Sequence, residues 1–220
     1  LIIGVLAPLR VVFDKLFVLV NFLRVVGHDL TRIDLGGGLG IPYRETDAPA
    51  PPSDYAQMIR EVTEGLGLQV VLEPGRVIAG NAGVMVSEVL YHKPAPDRTF
   101  LIIDAGMNDL MRPALYQAHH DVIPLNAPKA GEPVTAYDIV GPICESTDKF
   151  AAKRDMPAVA PGERIAFMSS GAYGAVLSSQ YNARPLVAEV LVDGDQYAVV
   201  RRRPSFEQMI ELEQMPDWLT

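Results

Sequence analysis

A single cysteine, Cys144, in a chain of 220 residues excludes an internal disulfide framework and fits a reducing, cytoplasmic setting. Basic residues are also in deficit. Lys and Arg number 19 against 27 Asp and Glu, and the resulting formal charge of −8 argues against a nucleic-acid groove or an anionic membrane surface as partner. The one basic run, Arg201-Arg202-Arg203, reads as a solvated strand end. His28, His92 and the pair His119-His120 show no ligand spacing with Cys144 or nearby acids, so they read as surface or packing residues and no metal is expected. No internal repeat is present. The most apolar stretch, Leu1 to Val26, is interrupted by Arg10, Asp14, Lys15, Asn21 and Arg24, too often for a spanning helix of about 20 apolar residues. It reads as a buried packing helix; the alternative, a signal-anchor, lacks a basic start and a cleavage site. What the chain has in quantity is apolar content, 49% against 21% charged, enough to build a core in one large domain or two small ones.

The first third alternates strand and helix. Ile2-Ile3 reads as a strand end and Leu9 to Val26 as a helix, with Pro8 at its start and a stripe of Leu9, Val12, Phe13, Leu16, Val20 and Leu23. A strand follows over Thr31 to Leu35, then a helix over Ser53 to Leu66 capped by Ser53, then a strand over Gln69 to Leu72. That rhythm implies parallel strands with function at their C-terminal ends, where Gly36 to Gly40 and Glu73 to Arg76 both fall. Ala48-Pro49-Ala50-Pro51-Pro52 reads as a loop over that face. After Gly80 the pattern changes to strands separated by Pro, Gly and Asp turns: Val84 to Leu90, Phe100 to Ile103, Ile165 to Met168, Leu186 to Val192 and Tyr197 to Arg201. Pro161-Gly162-Glu163 marks one turn and Asp193-Gly194 a hairpin. The expected division is an α/β part over residues 1–80 and an antiparallel β part over residues 81–220.

Two motifs carry chemistry in the first part. Ile33-Asp34-Leu35 runs into Gly36-Gly37-Gly38-Leu39-Gly40, and Val70-Val71-Leu72 runs into Glu73-Pro74-Gly75-Arg76. Consecutive glycines let backbone N–H groups converge on an anion, so a loop without lysine can hold a phosphate. A carboxylate at the neighbouring strand end suits pyridoxal 5'-phosphate, whose pyridinium nitrogen needs an anionic partner to stay protonated and withdraw electrons. Four more motifs follow in the second part: Asp104-Ala105-Gly106-Met107-Asn108-Asp109, Arg112-Pro113-Ala114-Leu115-Tyr116, Gly141-Pro142-Ile143-Cys144-Glu145-Ser146 and Gly171-Ala172-Tyr173-Gly174.

In this order, from Thr31 onward, the six motifs resemble the diaminopimelate decarboxylase family of the alanine-racemase-like pyridoxal-phosphate decarboxylases. The resemblance implies the C-terminal part of a cofactor-binding (β/α)8 barrel followed by an antiparallel β-barrel-like domain. It implies that Gly38, Gly75 and Arg76, with Pro74 in the same turn, hold the cofactor phosphate, that Glu73 pairs with the pyridinium, and that Tyr173 contacts cofactor and substrate. Arg76, Arg112 and Tyr116 would grip the distal carboxylate of the substrate, for which paired guanidinium donors are suited. Glu145 would hold the distal ammonium. Cys144 would return a proton to the α-carbon after CO2 leaves, a step a thiol can perform near neutral pH. In the family this Cys-Glu pair reaches the site of the partner subunit, which implies a homodimer, and the reaction converts meso-diaminopimelate to L-lysine in lysine biosynthesis.

The family's cofactor-carrying lysine, in a Val-Lys-Ala-Asn type motif on the first barrel strand, has no counterpart here. Lys15 falls in a helix, and Lys93, Lys129, Lys149 and Lys153 fall in turn-like or polar contexts. Of the family's His-Ile-Gly-Ser motif only Ile3-Gly4 is kept near Leu1 to Val5. The chain, which begins with Leu, therefore reads as the C-terminal half of such an enzyme, inactive by itself. The other expectation is a non-catalytic homologue that pairs with a full-length subunit as a regulator.

Overall fold

A computed structural model of the chain describes residues 4–128, 131 and 133–219. The expected strand end Ile2-Ile3 and Lys129 lie outside the described residues. The chain divides into two compact units, one formed by Leu1–Val84 with Met168–Ala172 and the other by Met85–Phe167 with Tyr173–Thr220.

The first unit contains α1 (Ala7–Val25), β1 (Arg32–Asp34), α2 (Pro52–Thr63), β2 (Gln69–Val71) and the short α3 (Arg76–Ala79). Pro8 lies in the first turn of α1, where its missing N–H costs nothing. Leu9, Phe13 and Val20 of α1 pack with Ile33, Leu35 and Leu39 and with Tyr55, Met58 and Ile59 of α2. The expectation of a helix buried all round is corrected: Val11, Val18, Phe22 and Val25 are exposed. A helix presents one stripe to one packing surface, and β1 and α2 offer α1 a single such surface. Among the described residues no helix is long and apolar enough to cross a membrane. The cap of α2 is also corrected. Pro51 is the N-cap, Pro52 opens the helix with its fixed φ, and the Ser53 hydroxyl donates to Asp54 Oδ1 at 3.2 Å instead of capping.

β1 and β2 pair in parallel, with Arg32, Ile33 and Asp34 opposite Gln69, Val70 and Val71. Their C-terminal ends therefore leave the sheet side by side. Residues 168–172 join this unit through Ser170 N–H to Gly83 O at 2.7 Å and Gly171 N–H to Gly80 O at 3.1 Å.

The second unit is built on a six-stranded sheet. Its strands are β3 (Met85–Ala95), β4 (Arg98–Ile103), β5 (Val122–Pro124), β6 (Val134–Val140), β7 (Lys149–Pro157) and β8 (Arg164–Phe167), in the order β5-β8-β3-β4-β6-β7. The edge strands β5 and β7 come into contact, so the sheet is nearly closed. One pair, β4 with β6, runs parallel, which makes the sheet mixed. Val89, Leu101, Ile103, Ile139, Ile165 and Phe167 form its fully buried centre. β5, β6 and β7 were not expected from the sequence, and Lys93 lies on β3 and Lys149 and Lys153 on β7, not in turns. β7 escapes pattern reading because Ala, Lys, Arg and Asp fill positions that an edge strand leaves half exposed. Between β4 and β5 stands α4 (Arg112–Tyr116). β9 (Glu189–Asp193) and β10 (Gln196–Arg201) form a separate antiparallel hairpin whose turn holds Gly194 at φ 60°, as the Asp-Gly pair predicts. At the strand end Arg201 pairs with Glu189 at 2.8 Å.

Candidate active site

In the first unit the parallel register brings the glycine loop and the acidic turn together. Leu35 N–H donates to Val71 O at 3.0 Å and Glu73 N–H to Gly36 O at 2.8 Å, so the ladder continues past both strand ends. Gly36 and Gly38 sit at φ 68° and 104°, a backbone that side chains disfavour. Gly37 serves a different need, because a Cβ there would lie 2.1 Å from the Glu73 carbonyl oxygen. A Cβ at Gly36 or Gly75, by contrast, would meet nothing within 4 Å, so open space lies over both glycines. Arg76 follows at the start of α3, where its guanidinium bonds the hydroxyl of the buried Tyr43 and lies 5.7 Å from that ring. Five expected residues, Gly38, Glu73, Pro74, Gly75 and Arg76, thus share one edge. Glycine-lined space beside a carboxylate fits the phosphate and pyridinium of pyridoxal phosphate.

In the second unit Arg112 is 1% exposed. Its Nε donates to Tyr116 Oη at 2.9 Å, one helical turn away, and its Nη1 to His120 Nε2 at 3.0 Å. The guanidinium carbon lies 5.6 Å from the Tyr116 ring centroid. Arg112 and Tyr116 are therefore joined by a direct hydrogen bond. His119 and His120 are corrected from surface or packing residues to members of a polar network, whereas His28 is exposed and His92 packs against the Tyr137 ring. His119 Nε2 lies 2.7 Å from Asp121 Oδ1, while Arg154 reaches His119 Nδ1 at 3.1 Å and His120 O at 2.9 Å.

Cys144 is exposed, on the loop between β6 and β7 with Glu145 beside it. Asp148 pins that loop. Its Oδ2 accepts from Ile143 N–H at 2.7 Å and its Oδ1 from Met107 N–H at 2.6 Å, and a Cβ at Gly141 would lie 2.4 Å from the same carboxylate. Burial pushes the Asp148 carboxyl above its ordinary range, against the pull of these two N–H groups and of Arg184. A raised native value means stability is present at low pH and lost as pH rises through it. The stability of wild type relative to Asp148→Asn should therefore fall as pH rises from about 3.5 to 7 in urea unfolding. A difference that grows with pH would show that the two backbone bonds outweigh burial.

Tyr173 is half exposed, with φ 58°, in the turn after Ala172. Glu145 Oε2 lies 3.5 Å from Tyr181 Oη. Arg184, a residue sequence reasoning passed over, ties its segment to the Asp104 to Asp109 motif. It bonds Asn108 Oδ1 at 2.9 Å and Asp104 O at 2.6 Å, with Asp109 Oδ2 at 3.4 Å. His120 and Asp148 were missed too. Asp148 closes a run, Cys144-Glu145-Ser146-Thr147-Asp148, whose last acid was a legible signal; His120, beside an ordinary His119, carried none.

Comparison with known proteins adds relatives to this geometry. The family model described as pyridoxal-dependent decarboxylase, C-terminal sheet domain, matches residues 11–171. The chain is similar to the diaminopimelate decarboxylase of Zymomonas mobilis subsp. mobilis, 43% identical over 216 residues that cover 97% of this chain and 50% of that protein. It is likewise similar to the diaminopimelate decarboxylase of Vibrio cholerae, 46% identical over 209 residues, covering 94% of this chain and 49% of that one. Among solved structures, Helicobacter pylori diaminopimelate decarboxylase complexed with L-lysine matches with TM-score 0.87 and 37% identity over 95% of this chain and 51% of that chain. The chain spans about half the length of the curated relatives it matches.

Proposed function

The chain belongs to the pyridoxal-dependent decarboxylase family, and on that premise we propose that it is the C-terminal half of a diaminopimelate decarboxylase, which converts meso-diaminopimelate to L-lysine and CO2. The observation that carries this reading is the bonded juxtaposition of the glycine loop with Glu73 at the C-terminal ends of two parallel strands. Pyridoxal phosphate, when bound, supplies the electron sink that lets a carboxylate leave as CO2. Gly38, Gly75 and Arg76 bind its phosphate, Pro74 shapes their turn, and Glu73 keeps its ring nitrogen protonated. Arg76, Arg112 and Tyr116 bind the distal carboxylate of the substrate, Glu145 the distal ammonium, and Tyr173 both cofactor and substrate. Cys144 donates the proton to the α-carbon, and as an exposed residue it is available to a partner subunit. The enzyme is proposed to work as a cytoplasmic homodimer.

The test is assembly. The chain, co-expressed with the N-terminal half of the Zymomonas mobilis relative, is expected to release CO2 and lysine from meso-diaminopimelate in the presence of pyridoxal phosphate, while the chain alone is inactive. A soluble, associated pair without activity overturns the reading. A second reading, a regulator of a full-length enzyme, is favoured by the lysines: those among the described residues lie on α1, β3 and β7, none at the ends of β1 or β2. Addition of the chain to a full-length relative, with no gain on assembly but a changed turnover number, is the outcome that supports it.

A further inference from the structure

Arg112 is a fully buried cation, and what orients it bears on how it acts. A guanidinium has five donors, no acceptor and no neutral form in proteins. Each N–H removed from water therefore needs an acceptor, or the burial costs the full desolvation of that donor. Two acceptors are Tyr116 Oη and His120 Nε2, at 2.9 and 3.0 Å. The second contact fixes the state of the imidazole. Because Arg112 can only donate, Nε2 must carry a lone pair, which places the single ring proton of His120 on Nδ1. Protonation of Nε2 would set N–H against N–H and one positive charge 3.0 Å from another.

We propose that His120 is a positioning residue for substrate recognition: a neutral, Nδ1-protonated imidazole that orients the Arg112 guanidinium for a substrate carboxylate. The inference rests on the reading of Arg112 as a carboxylate-binding residue. The choice of acceptor has a chemical reason. An aspartate in place of His120 would orient the fork equally well but would also cancel its charge and compete with the incoming anion. A phenol and a neutral imidazole orient without neutralising. His120 is itself 2% exposed. Its carbonyl accepts from Arg154 Nη1 at 2.9 Å, while Arg154 and Asp121 hold its neighbour His119. Arg154, His119 and Asp121, all outside the Arg112 to Tyr116 motif, thus hold the backbone from which His120 reaches Arg112.

Two measurements test this, one independent of catalysis. In the 220-residue chain labelled with 15N, long-range proton-nitrogen correlations should show one histidine, absent in His120→Gln, as the neutral Nδ1-protonated tautomer at pH 7.5. An Nε2-protonated or doubly protonated His120 overturns the proposal. In the enzyme assembled with the N-terminal half, His120→Phe, which keeps the ring volume without the acceptor, should raise KM for meso-diaminopimelate about tenfold or more with kcat within about threefold. His120→Gln, whose Oε1 reaches the position of Nε2, should return KM to within about threefold of wild type. Equal KM in all three, or a Gln variant as impaired as Phe, overturns the proposal. If His120→Phe does not fold, the Gln variant and the tautomer decide. If the wild-type assembly does not decarboxylate, the decarboxylase reading fails while the tautomer still decides the bond between His120 and Arg112.

Discussion

Cys144→Ala is expected to slow product formation about 10²–10⁴-fold in the assembled enzyme while cofactor binding stays intact. The size follows from removing a proton donor at the reacting carbon, and the selectivity from how the loop is held. Asp148 grips the backbone at Ile143 and Met107, and neither bond involves the cysteine side chain. Truncation at Sγ therefore removes the acid and leaves its support. Cys144 is the sole cysteine, so one alkylation event in the wild type, and none in the variant, confirms the substitution. Subunit sharing has its own readout. A Cys144→Ala subunit mixed with one lacking the cofactor-carrying lysine should recover about a quarter of wild-type activity, because about half the dimers are mixed and each holds one complete site of two. No recovery, with subunit exchange confirmed by a tag, would assign Cys144 to the site of its own subunit.

Gly37→Ala should cost on the order of 3–4 kcal/mol of stability and abolish cofactor binding by the assembled enzyme. The added Cβ meets backbone, the Glu73 carbonyl oxygen at 2.1 Å and its carbon at 3.1 Å, and backbone in a bonded ladder cannot turn aside as a side-chain tip can. Relief requires the glycine loop and the acidic turn to part, which is the separation the cofactor site cannot tolerate. Gly65→Ala is the control. Its φ of 75° disfavours a side chain but nothing lies within 4 Å of the added carbon, so about 1–2 kcal/mol is expected there and no effect on cofactor binding. Urea unfolding of the two variants separates space from conformation; equal losses would mean that close approach at Gly37 is not what matters.

Much of this arrangement was legible in order along the chain. Glycine runs, a Glu-Pro-Gly-Arg turn and an Asp-Gly hairpin depend on local backbone rules, and α1, β1, β2 and the β9 to β10 turn lie close to where those rules put them. The cap of α2 was misread for an equally local reason, since Pro51 and Pro52 outrank Ser53 in starting a helix. The six motifs also carried the family, because glycines and acids at strand ends are set by the chemistry they serve.

The roles of His120 and Arg184 were out of reach for a different cause. Each works through a partner distant in sequence or through a carbonyl exposed by a turn, as Arg184 does on Asp104 and Asn108, and no periodicity records such a pairing. The exposed flank of α1 was likewise unreadable: composition states that Val18 and Phe22 are apolar, and packing alone states which side of the helix has a neighbour. Residue types and their spacing thus establish the family this chain belongs to, since its motifs rest on side-chain identity and local backbone shape. Burial and the orientation of its charged groups come from long-range packing, since both depend on atoms that meet only after the strands have paired.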